Sequence, residues 1–234
     1  MEWQAMKVDG VLFDKDGTLF DFRATWDVWV ADVIETLSGG DAALAGAIAG
    51  AARYDLETRR FDPESPIIAG TNREAAELLC SVLPGRNVDE VEQYLMITAA
   101  RAPLAPAVPL APFLSGLTGR GLRLGVMTND TEFGAHAHLE SAGVAAHFEF
   151  IAGFDSGHGA KPEPGPLLAF AAATGLRPGR VVMVGDSPHD LIAGRAAGMQ
   201  TVGVLTGPAG HEDLTPWADM VLPDIGHLSA WVEV

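Results

Sequence analysis

Asp14 and Asp16 stand two residues apart and are followed by Gly17 and Thr18, a pattern that serves either an Asx-type turn or a pair of working carboxylates. A carboxylate can attack phosphorus to give an aspartyl phosphate, which splits one difficult transfer into two easier steps. The phosphoryl group is itself anionic, so an anionic nucleophile needs a cation beside it. Magnesium, a hard ion satisfied by a few carboxylates, waters and substrate oxygens, suits that task, with Asp14 and Asp186 as the expected ligands.

Three further clusters supply the remaining chemistry. Lysine is rare here, occurring at 7, 15 and 161, and Lys161 lies in a loop that Pro162 and Pro164 are expected to hold extended. Its ammonium would act there as a point charge on a phosphate oxygen and on the nucleophile. Thr128 and Asn129 suit a helix cap and an anion site alike, and the two roles coexist at a helix N-terminus. In Gly185-Asp186-Ser187-Pro188-His189-Asp190 the second acid follows the first by one helical turn. Asp190 would then reach a metal through water, orient Lys161, or form with Asp186 a plain helix-capping pair. His136 and His138, two apart on a helix, point to different faces and read as solvated. His189 sits beside the acidic pair, within reach of a substrate. No Gly-rich Walker loop or Gly-x-Gly-x-x-Gly fingerprint follows a strand, which counts against nucleotide binding.

These clusters need elements to bring them together. Residues 8–13, 122–127, 148–152, 181–184 and 201–205 are short apolar runs of the kind that make buried parallel strands. Helical stretches at 132–142, 164–174 and 188–197 separate them, each with a glycine just behind it as a stop signal. This alternation predicts an α/β fold, a doubly wound and mostly parallel sheet with helices on both faces. In such a sheet, polar residues just after the strands converge on one crevice. Residues 21–101 break the rhythm: they hold no strand-like run, Trp26, Val30, Val33, Ile34 and Leu37 recur at helical spacing, and further helices are expected at 41–53, 72–82 and 88–100. An insertion this long is a second, all-helical domain rather than a loop. The expected division is a catalytic core of residues 1–20 and 105–234 and a helical cap of residues 21–104, rejoined to the core through the proline-spaced stretch 102–109.

With 31 acidic against 15 basic residues and a formal net charge of -16, the average field repels nucleic acid and anionic membranes, so neither is an expected partner. The same field repels phosphorylated metabolites, the small-molecule partners the chemistry implies, unless a metal or placed cations reverse it inside the cleft. The single cysteine, Cys80, reads as core. The first nine residues lack a signal-peptide pattern and no segment approaches ~20 uninterrupted apolar residues, so a soluble cytoplasmic protein is expected.

Phe13-Asp14-Lys15-Asp16-Gly17-Thr18-Leu19, Thr128-Asn129, Lys161-Pro162 and Gly185-Asp186-Ser187 through Asp190 resemble, in order, the four motifs of the haloacid dehalogenase-like hydrolases. A helical insertion between the first and second motifs is similar to the phosphoglycolate phosphatase-like branch. The resemblance implies that Asp14 is phosphorylated, that Asp16 protonates the leaving oxygen and later deprotonates water, and that Thr128 and Lys161 hold the phosphoryl oxygens, with Thr18 and Asn129 nearby. Thr18 and Asn129 are expected to bind the phosphate as well. The resemblance also implies Mg2+ bound by Asp14, the backbone carbonyl of Asp16 and Asp186, with Asp190 close by. The dehalogenases lack the second aspartate, so Asp16 points to a phosphatase acting on a small phosphate monoester. A phosphomutase shares all four motifs, and a non-catalytic phospho-acceptor would keep its phosphoaspartate as a signal. In the cap, Phe20-Asp21-Phe22-Arg23-Ala24-Thr25-Trp26 departs from the small polar hinge of many phosphoglycolate phosphatases. Arg23, Arg59, Arg60 and Asn72 are candidate substrate contacts.

Overall fold

Residues 6–68 and 70–233 are described by the computed structural model; most of the stretch read above for a leader, residues 1–5, lies outside them. In chain order the elements are β1 (Met6–Lys7), β2 (Gly10–Phe13), α1 (Phe22–Ser38), α2 (Ala42–Ala52), β3 (Tyr54–Asp55), β4 (Arg60–Phe61), α3 (Asn72–Cys80), α4 (Val88–Ala99), α5 (Leu110–Thr118) and β5 (Arg123–Met127). They continue with α6 (Glu132–Ser141), β6 (Phe150–Ala152), α7 (Gly165–Thr174), β7 (Val181–Gly185), α8 (Pro188–Ala196), β8 (Gln200–Val204), α9 (His211–Leu214), β9 (Met220–Leu222), α10 (Leu228–Trp231) and β10 (Val232–Glu233).

Six strands form one parallel sheet in the order β6-β5-β2-β7-β8-β9. Alternate residues of each strand face opposite layers: Val11 and Phe13 join Leu114, Leu124 and Val182 on one side, while Leu12 joins Met127, Phe170 and Met183 on the other. Both faces are therefore buried, as a doubly wound α/β fold requires. From β2 the chain winds outward through β5 to β6, then returns to β7 and winds the other way. The strand order thus reverses between β2 and β7, where Asp14 and Asp186 emerge, and this switch point is where open parallel sheets bind ligands.

The insertion between β2 and α5 has a core of its own, built from residues such as Trp29, Val33, Ile48, Leu79 and Leu95. Its helices start at side-chain caps on Asp21, Asp41, Thr71 and Asn87, each accepting from backbone N–H groups of the first turn. It is not entirely helical: β3 and β4 form a short antiparallel pair. Strands of two residues leave no periodicity to read, which is why apolar spacing does not show them. The same limit hid β9, only three residues long, and α5 was not anticipated either. Cys80 is partly exposed at the edge of this second core rather than buried within it. The two connectors run side by side, the Asp21 N–H donating to the Ala105 carbonyl at 2.8 Å and the Ala107 N–H to the Leu19 carbonyl at 3.0 Å. Among the described residues no helix is long and apolar enough to cross a membrane.

Candidate active site

The loop after β2 is tied to β7 by the Asp14 N–H, which donates to the Val184 carbonyl at 2.8 Å. The Lys161 ammonium lies 2.6 Å from both Asp14 Oδ1 and Asp190 Oδ1, and all three side chains are buried. The other oxygen of Asp190 accepts from the Ser187 N–H and hydroxyl, so this carboxylate orients Lys161 and caps α8 at once. Asn129 holds Lys161 from its backbone side: its amide donates to the Lys161 carbonyl and its oxygen accepts the Lys161 N–H, both at 2.9 Å. The Lys161–Pro162 peptide is cis and the loop turns there instead of running extended. Asp186 is held by the Thr18 hydroxyl at 3.2 Å, which directs Thr18 at a carboxylate. Backbone crowds it on two sides, since a Cβ built on Gly17 or on Gly207 would fall 2.3 and 1.7 Å from Asp186 Oδ2. Gly17 also has φ +82°, so glycine is required there twice over.

Three buried carboxylates therefore face one lysine, which pairs with two of them. Burial raises the Asp14 pKa, Lys161 pulls it back, and Asp190 and Asp16 push it up again, to about 7. Burial and then the charges of Asp14 and Asp190 raise Asp186 well above its ordinary value, against the pull of Lys161. The cluster is short of positive charge. One oxygen each from Asp14, Asp186 and Asp190 lies within 4.8 Å of the others, an all-oxygen set that fits a hard divalent cation such as Mg2+. Such an ion would relieve the repulsion that raises Asp14 and Asp186.

The model for the haloacid dehalogenase-like hydrolase family matches residues 8–198, spanning all the residues of this cluster. The chain belongs to the haloacid dehalogenase-like hydrolases. Over 119 residues it is 36% identical to a phosphoglycolate phosphatase of Rhodospirillum rubrum, a match covering 51% of this chain and 49%, about half, of that protein. A phosphoglycolate phosphatase of Shigella boydii is 29% identical over 215 residues, 86% of this chain and 82% of its own. Among solved structures, a haloacid dehalogenase-like hydrolase from Bacteroides fragilis shares the fold with a TM-score of 0.70 and 22% identity, over 95% of this chain and all of the other.

The remaining residues singled out in this hydrolase divide into those that face the cleft and those that do not. Thr128 donates to Asp16 at 3.4 Å, and with Asn129, His189 and Asn72 it lines a cavity of about 100 Å³ above Asp14. Arg23, Arg59 and Arg60 are exposed and line none of it. His136 is half-buried, and His138 is not solvated at all: it is 1% exposed. The clue was in the helix, where Gly134, Ala135, His138 and Leu139 fall on one stripe and all are buried.

His138 leads to a second charged network that residue spacing did not reveal. Lys15, fully buried beneath the site, contacts Asp16 at 2.8 Å, Asp130 at 3.1 Å and His138 Nδ1 at 2.8 Å, with its ammonium 5.4 Å from the Trp26 ring centre. An ammonium only donates, so Nδ1 must accept and the proton sits on Nε2, which donates to the Ala99 carbonyl at 2.8 Å. Burial and then Lys15 lower the His138 pKa, which keeps the ring neutral. Burial works against the Lys15 charge too, but Asp16 and Asp130 outweigh it and hold the lysine above its ordinary value. Lys15→Met leaves two carboxylates without their cation in a buried setting, where breaking a pair costs about 3–5 kcal/mol. Chemical denaturation of the two proteins measures it, and a loss under about 1 kcal/mol would show that the network contributes little.

Proposed function

We propose that this hydrolase is a magnesium-dependent phosphatase that releases inorganic phosphate from a small phosphate monoester through a phosphoaspartate on Asp14. The observation that carries the reading is Lys161, buried and held 2.6 Å from both Asp14 and Asp190, with Asp186 alongside at the sheet's switch point. In the first step an Asp14 oxygen bonds to phosphorus as the ester P–O bond breaks, and Asp16 gives its proton to the departing oxygen. In the second, Asp16 takes a proton from water, whose oxygen bonds to the same phosphorus while the Asp14–phosphorus link breaks. Lys161 and Thr128 would hold the phosphoryl oxygens, and Thr18 keeps Asp186 in place. Asp14, Asp186 and the Asp16 carbonyl would hold Mg2+, with Asp190 close by; when bound it neutralises charge between carboxylate and phosphoryl oxygens.

The relatives that are phosphoglycolate phosphatases support hydrolysis, and so does Asp16, whose basic form shortens the life of a phosphoaspartate that a signalling acceptor would preserve. A phosphomutase would have to seat a sugar hydroxyl as acceptor, and the largely apolar wall facing the site favours water instead. In the same reading residues 21–104 act as a lid over the core of residues 1–20 and 105–234, turning at the paired connectors.

Acid quenching during turnover is expected to leave one phosphoryl group on the peptide carrying Asp14, released by hydroxylamine, and a chelator is expected to suppress both label and product. Phosphate release that continues undiminished in chelator with an unlabelled Asp14 peptide would overturn the reading.

A further inference from the structure

We propose that the ester accepted here carries an uncharged, apolar organic group of about the size of an aromatic ring, and that small anionic esters are disfavoured. The inference deepens the phosphatase reading above and rests on it.

The cavity has two chemically distinct ends. The core supplies the carboxylates, Lys161 and Thr128 at the reacting end, whereas the opposite wall comes from the insertion and presents Phe22, Trp26, Trp29, Phe61, Ile67 and Ile68. These rings brace one another: Trp26 and Trp29 meet edge to face at 5.1 Å, Phe22 and Phe61 at 6.2 Å, and the Trp29 N–H is fixed by Thr98. The wall is preformed and apolar apart from the Trp26 N–H, which has no partner among the described residues.

A second negative group on the substrate would find no counter-ion there. Among the described lining residues there is no arginine and one lysine, Lys161, whose ammonium is already shared by Asp14 and Asp190. Lys15 does not line the cavity and is held by Asp16, Asp130 and His138, and His189 sits on the core side beside Asp190. At the N-terminus of α3, an anion-attracting feature that Thr71 and Asn72 bring to the cavity, a carboxylate of the chain already stands, and it repels a second one. Glu74 accepts the Thr71 N–H at 2.7 Å, and the Asn72 amide donates to the Glu92 carbonyl. A substrate carboxylate would lose its water against aromatic rings and meet no cation there, only the neutral Trp26 N–H, which has no partner among the described residues, whereas an apolar group gains by leaving water.

The test compares 2-phenylethyl phosphate, ethyl phosphate and 2-phosphoglycolate with the full-length enzyme and Mg2+, by release of phosphate. The first two lose alkoxides of similar basicity, so their ratio reports the wall and not the proton from Asp16. Full burial of the ring predicts kcat/KM about 30-fold higher for 2-phenylethyl than for ethyl phosphate, with 2-phosphoglycolate no better than ethyl phosphate although its alcohol is the better leaving group. Ile68→Arg, which adds a cation to the wall, is expected to raise 2-phosphoglycolate relative to 2-phenylethyl phosphate by at least about tenfold. Equal rates for the two alkyl esters, or 2-phosphoglycolate as the best of the three, would overturn the proposal while leaving the phosphatase reading intact. Inertness of all three alongside an unlabelled Asp14 would remove that reading, and this inference with it. If the Ile68 variant does not fold, the wild-type ranking decides alone.

Discussion

Asp14→Asn is expected to lower phosphate release by about 10⁴-fold or more, because an amide is no nucleophile and only binding and electrostatic contributions survive. The substitution conserves shape at a buried position, so the fold is expected to persist. A folded variant retaining more than about a tenth of wild-type kcat would remove Asp14 from the chemistry. The same variant reads out the charge imbalance of the site. With Asp14 raised to about 7 in the folded protein, the native state binds more protons than the unfolded chain between its ordinary value of 3.8 and that point. The resulting stabilisation is complete below the ordinary value and is lost as pH rises through about 7, and Asp186 acts in the same direction. Calorimetry in chelator is therefore expected to show wild-type Tm falling from about pH 5 to 8. Asp14→Asn is expected to flatten part of that slope, and Mg2+ to restore wild-type Tm at the upper end. An unchanged slope in the variant would mean that Asp14 is not the group that titrates.

Asp16→Asn is expected to cost about 10²–10⁴-fold on alkyl phosphates and much less on activated aryl phosphates, whose leaving groups need no proton. Asp16 is 2.8 Å from the Lys15 ammonium and 3.4 Å from the Thr128 hydroxyl, contacts that aim it while leaving it partly exposed to the cleft. Because the second step also needs a base, the variant is expected to accumulate phosphoaspartate on the aryl ester, visible as a burst of alcohol ahead of steady turnover. Uniform loss across both ester classes, with no burst, would assign Asp16 a structural role only.

Local sequence was sufficient wherever a residue's position followed from the element it ends. Asp14, Thr128 and Asp186 sit just after strands, and a parallel sheet brings all such positions to one edge. The helices of the insertion were equally legible through apolar spacing and capping residues, because a helix is held by contacts three and four residues apart. Two-residue strands and the turn at Lys161 carry no such local signature.

What the chain alone determined is the chemistry on offer: two carboxylates around Lys15, a lysine in a proline-framed loop, and a second acidic pair on one helical turn. Tertiary structure decided which of these groups meet. Lys161 joins Asp14 across 147 positions and Lys15 meets His138 across 123, distances at which sequence spacing says nothing about contact. It also decided that Asn129 grips the Lys161 backbone, and that rings from Phe22 to Phe61 stand over carboxylates supplied by the other part of the chain. The physical reason is that burial and pairing depend on what packs opposite a side chain, and across an insertion this long that neighbour is chosen by the fold.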